Sequence, residues 1–119
     1  MTVTETARQF VRTKLNDEYV KMDIGEGGGS TDISMNSLFA SITSAASQPL
    51  LSATRSVSTD NQIEFKTTVS GSTYAGYTIR EVGILNAGGT GMLTRIPIDP
   101  IGPLENTKTY EIVVIMEVE

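Results

Sequence analysis

Apolar and polar residues alternate with a period of two along much of this chain, which is the signature of half-buried β-strands. In Glu18 to Ile24, Val20, Met22 and Ile24 fall on one side and Lys21 and Asp23 on the other. In Ile63 to Ser70 the inward set is Ile63, Phe65, Thr67 and Val69, with Glu64 and Lys66 opposite. Leu50 to Ser58 reads as one further strand, joined to the last by a turn over Thr59-Asp60-Asn61-Gln62. Residues 3–16 follow a different period: Val3, Ala7, Phe10, Val11 and Leu15 recur at helical spacing. Thr2 and Glu5 have the capping-box spacing, and Asn16-Asp17 is a fitting end.

The stretch Tyr77 to Ile96 predicts a hairpin, two apolar arms around Asn86-Ala87-Gly88-Gly89-Thr90-Gly91. Glu81 shares a strand face with Ile79, Gly83 and Leu85. A carboxylate there is half-buried and needs a partner, because an unpaired buried charge costs several kcal/mol. Arg80, Glu81 and Arg95 are therefore expected to form a structural polar set, Glu81 bonding an arginine or backbone N–H groups at a strand end. Gly83 in mid-strand marks a bulge or a close approach of another backbone. Pro97, Pro100 and Pro103 make the next segment an irregular crossover or a sheet edge.

The last strand, Thr109 to Glu119, turns Tyr110, Ile112, Val114, Met116 and Val118 one way and Glu111, Val113, Ile115, Glu117 and Glu119 the other. Its middle is apolar on both faces. Either it is a central strand covered on both sides, or Val113 and Ile115 belong to a subunit interface. Phe10 and Val11 on the N-terminal helix are candidates for the same kind of contact. The helix can equally lie over a face or end of its own sheet.

These elements sum to one domain over residues 1–119: a helix over 1–17, then a mainly β unit over 18–119. The expected architecture is an antiparallel β-sandwich or flattened barrel. Residues 31–49 are small and polar with scattered apolar positions; a turn or two of helix fits there, and Ser41 to Gln48 reads as a surface connection or loose edge strand.

Composition narrows function more than fold. The 119 residues include no cysteine and no histidine, which removes disulfides, thiolate metal sites and imidazole catalysis. Nine basic against 14 acidic residues give a net charge of −5, unsuited to nucleic-acid backbones or anionic membranes. No apolar run approaches the roughly 20 residues of a membrane span, and no signal peptide is visible. Gly25 to Ser30 reads as a flexible surface loop; it lacks the lysine of a phosphate loop, and Asp23, Glu26 and Asp32 lack the spacing of a calcium loop. Glu81 with Glu64 or Asp60 is the one conceivable catalytic carboxylate pair. Tyr74 and Tyr77 are the one conceivable aromatic platform for a glycan. No enzyme activity, cofactor or small-molecule substrate is expected.

Ile79-Arg80-Glu81-Val82-Gly83-Ile84-Leu85, the glycine turn and Met92-Leu93-Thr94-Arg95 together resemble a strand and turn of small structural virion proteins of tailed phages and archaeal tailed viruses. Ile24-Gly25-Glu26-Gly27 and the strand Tyr110 to Val118 are similar to two further elements of that family; residues 31–49 match none. The resemblance implies a non-enzymatic protein located in the virion after assembly in the host cytoplasm. It implies self-assembly into homo-oligomers and docking to other virion proteins. The first role implied is attachment of fibre to tail or baseplate, and the second is a capsid-surface decoration or turret.

Overall fold

The computed structural model describes residues 4–29, 34–57 and 62–117. Thr2, Val3, Asp32, Asp60, the turn over 59–61, Val118 and Glu119 lie outside that set. Helix α1 (Glu5–Glu18) is followed by β1 (Lys21–Gly25), a short α2 (Ile42–Ala45), β2 (Leu51–Ser52) and β3 (Thr54–Val57). Then come β4 (Gln62–Ser70), β5 (Ile79–Leu85), β6 (Met92–Ile101) and β7 (Thr109–Glu117). Two antiparallel sheets form, ordered β2-β1-β5-β6 and β3-β4-β7. The fold is mainly β and sandwich-like, and the barrel alternative falls away because the two sheets do not join into a closed cylinder.

Between the sheets sit Met22, Ile24, Val82 and Ile84 from one side and Ile63, Phe65, Val69 and Ile112 from the other. These are the inward sets of the period-two pattern. Met22 pairs with Ile84 and Ile24 with Val82, so Asp23, Gly25, Glu81 and Gly83 necessarily share the opposite, outer face.

Leu50 to Ser58 is two strands rather than one. The chain leaves the first sheet after Ser52 and enters the second at Thr54, with the Ala53 N–H donating to Val20 O at 3.0 Å. Thr67 Oγ1 donates to Ser52 O at 2.9 Å across the same corner. A single hydrogen-bonded corner of this kind leaves no mark in the apolar pattern. The proline-rich segment through Pro100 is no crossover: it extends β6, the edge of its sheet, where missing N–H donors cost nothing.

Helix α1 begins two residues later than the capping-box spacing implies. Thr4 is the cap, its Oγ1 accepting from Ala7 N at 3.2 Å. Of the periodic apolar stripe only Leu15 faces the sheets among the described residues; Ala7, Phe10 and Val11 are exposed. Arg12 is the buried residue of the helix, with Leu15 and Tyr19 against the core, while Phe10 is 65% exposed and Val11 42%. The helix lies along β3 and β4, on the side of the sandwich where β2 passes into β3. Arg12 NH2 donates to Glu5 Oε1 at 3.0 Å. The helix ends at Glu18, just past the Asn16-Asp17 stop.

β7 is likewise not a central strand. Among the described residues it pairs with β4 alone and forms an edge, leaving Val113 43% and Ile115 59% exposed.

Candidate functional site

The hairpin forms as its pattern predicts. Its turn is closed by Asn86, whose Oδ1 accepts from Thr90 N at 3.0 Å and Gly91 N at 3.1 Å. β5 then lies at the centre of its sheet and carries Glu81 onto the outer face, fully shielded from water.

Four donors converge on the Glu81 carboxylate. Arg95 Nε donates to Oε1 at 2.8 Å, and Phe39 N to Oε1 at 3.0 Å. Gly27 N and Ala40 N donate to Oε2 at 2.8 and 2.9 Å. Arg95, 3% exposed, reaches onward to Gly29 O at 2.8 Å and Gly27 O at 3.4 Å. The Phe39 ring lies over the guanidinium, its centroid 4.5 Å from Cζ. The two arms of the covering segment also pair with each other, Glu26 N donating to Ala40 O at 2.9 Å and Gly25 bridging Ser41. Burial pushes the Glu81 carboxyl up, but Arg95 and the N–H groups of Ala40, Phe39 and Gly27 outweigh it and hold the group below the usual carboxylate range.

A second polar knot stands beside it. Asp23 Oδ2 accepts from Ser41 Oγ at 2.6 Å, and its Oδ1 from Thr43 Oγ1 at 2.6 Å and Ile24 N at 2.8 Å. Ser41 Oγ also caps α2 by accepting from Ser44 N at 3.2 Å. The two knots together fasten the segment between β1 and α2 over the outer face of the first sheet.

The glycines belong to the same construction. A Cβ on Gly25 would stand 2.6 Å from Glu81 Cγ, and one on Gly83 2.9 Å from Leu38 Cδ2. These positions are bare so that the segment can lie flat on the sheet. The reading of Gly25 onward as a flexible surface loop is thus corrected through Gly29: Gly27 is held by both Glu81 and Arg95, and Gly29 by Arg95. Gly83 is not a bulge. It pairs in register with Arg95, and the register shifts fall between Ile79 and Glu81 and between Ile84 and Leu85. The close approach at Gly83 is by side chains, not by backbone.

Of the polar set read from sequence, Glu81 and Arg95 meet, whereas Arg80 is exposed and takes no part. Arg80 sits at the register shift between Ile79 and Glu81, where the regular alternation of β5 is interrupted. The Asp23–Ser41–Thr43 knot was missed. Asp23 looked like the solvent side of β1, and nothing in a Ser/Ala/Thr run announces which sheet it covers.

The other candidate chemistries come apart. Asp23 is occupied by hydroxyls and Glu26 Oε2 by Thr78 N at 3.0 Å, so these two carboxylates do not converge on an ion site. Among the described residues no cluster of three potential metal ligands exists. Glu64 lies on the outer face of the other sheet beside Lys66, remote from Glu81. Tyr74 is buried, and that burial, followed by the charge of Asp23, pushes its phenol up; it offers no stacking face with Tyr77. Among the described residues no helix is long and apolar enough to cross a membrane.

What stays open is surface. Phe10 and Val11 project from α1, and Val113 and Ile115 from β7. Between β6 and β7 the sandwich has an open side, a groove of about 650 Å³ with Ile96, Ile98, Ile112 and Val114 among its lining and Asp99 and Glu111 at its rim. No family model, curated protein or solved structure matches the chain.

Proposed function

We infer that the chain is a non-enzymatic structural component of a tailed-virus particle, acting as an attachment protein between the tail or baseplate and a fibre. The carrying observation is the distribution of its chemistry. Its most densely bonded charged group, Glu81 with Arg95, is sealed beneath a covering segment and fixes the fold. Large apolar side chains meanwhile stand exposed on both α1 and β7. Exposed apolar groups of this kind mark protein contact surfaces. A sandwich with a pinned surface segment and two contact strips suits repeated docking of identical copies. The E-x-G strand that resembles the virion family is the strand carrying Glu81 and Gly83, both used in that pinning.

The test is to purify particles from a producing host and label them with antibody raised against the chain. Label at the tail or baseplate is the expected result. Label over the capsid would replace attachment by decoration. Particles free of the chain, with the chain abundant in the lysate, would overturn the virion reading.

A further inference from the structure

The two open features of this molecule are complementary. Helix α1 already closes the β2/β3 side of its own sandwich through Arg12, Leu15 and Tyr19. Among the described residues the β6/β7 side has no such cover, and it presents the groove. We propose that the outward face of α1 in one copy, carrying Phe10 and Val11, seats in the β6/β7 groove of a second copy, so that copies join head to tail. The proposal rests on the self-assembly part of the function inferred above and names its geometry.

Three observations select this occupant. First, the groove resists strands. β6 carries Pro97 and Pro100, which deny a continuous ladder to an added strand. β7 resists its own copy: antiparallel self-pairing about Val114 would set Val113 against Ile115 but Glu111 against Glu117, like charges directly opposed. Second, the charges match. The rim carries Asp99 and Glu111, whereas the exposed Lys14 lies one turn along the helix from Phe10 and Val11. Within the copy Lys14 makes a loose exposed contact with Glu18 at 3.9 Å, which is easily exchanged. Third, helix and groove lie on opposite sides of one sandwich. A contact between them is heterologous and repeats; it closes into a ring when the rotation between copies returns to its start.

The absence of cysteine makes the contact directly testable. Val11→Cys and Ile115→Cys are prepared separately, one carrying a size tag, and mixed under mild oxidation. Both positions are exposed, so matching melting curves with the parent confirm folding. The expected result is a mixed disulfide dimer that neither variant forms alone. Glu111→Lys should weaken association about tenfold, and pairing it with Lys14→Glu should restore it. Self-linking of Ile115→Cys alone would mean β7-to-β7 pairing, and no link in any combination would mean the groove serves another partner; either overturns the proposal. Cross-linking by a chain missing from particles would sink the virion reading and keep this one. A particle component that fails to cross-link would do the reverse.

Discussion

Replacing Glu81 by alanine removes the acceptor on which the hairpin and the segment covering it converge. Four donors lose their acceptor: Arg95 Nε and the N–H groups of Gly27, Phe39 and Ala40. Arg95 is left as a buried cation, and breaking a buried pair by removing one partner costs about 3–5 kcal/mol. For a chain of this length each kcal/mol moves Tm by about 4 °C, so a fall of about 12–20 °C is expected. Calorimetry at neutral pH measures it, and amide exchange at Gly27, Phe39 and Ala40 should accelerate more than at β4. The double variant Glu81→Leu with Arg95→Met separates the ion pair from the anchor. If the pair alone mattered, an apolar replacement would recover most of the stability. Here the three N–H groups remain orphaned, at about 1–3 kcal/mol each, so recovery should be slight. A Glu81→Ala protein melting within about 3 °C of the parent would refute the reasoning.

Acid should act through the same group. Its folded carboxyl titrates below the ordinary 4.5, so its contribution is complete above that value and is lost as pH falls through the folded one. Melting followed downward from about pH 5 should therefore fall more steeply for the parent than for Glu81→Gln. Gly25→Ala places a Cβ 2.6 Å from Glu81 Cγ and should cost about 1–3 kcal/mol by urea titration. In a Glu81→Ala background the obstruction is gone and the cost should largely vanish, a coupling that a double-mutant cycle reads directly. Thr43→Val removes the 2.6 Å donor to Asp23 at constant shape and should cost about 1–3 kcal/mol by the same titration.

The strands and the inner core were legible because a sheet with one face against another enforces period two on both. Met22, Ile24, Phe65 and Val69 announce their side through their neighbours. Glu81 was legible as an anomaly, a charge at a position the pattern reserves for burial, and its partner Arg95 followed from hairpin geometry. The covering segment was not. Its apolar positions are few, and what holds it are hydroxyls and backbone N–H groups whose partners lie 18 to 54 residues away. Helix α1 misled for a different reason. Its spacing correctly gave a helix, but the usual inference from an apolar stripe to an inward face failed at Arg12, which is buried while Phe10 and Val11 are not. An amphipathic pattern fixes that one face seeks apolar cover; it does not say whose.

That last distinction bears on how the molecule divides its surfaces. The first sheet is covered twice, by the apolar core inside and by a polar-anchored segment outside. Polar anchoring has a consequence that apolar packing lacks. Glu81 and Asp23 accept only from donors at particular places, so one arrangement of residues 25–29 and 34–43 satisfies them and a slipped one does not. A greasy cover would tolerate sliding, and its exposed margin would compete with α1 and β7 for partners. With the outer face closed by hydrogen bonds, most of the exposed apolar excess falls elsewhere, on the outward side of α1, the β7 edge and the groove between the sheets, with Phe39 over Arg95 as the apolar group left on the cover. Docking then has a defined address on a surface that cannot rearrange to offer another.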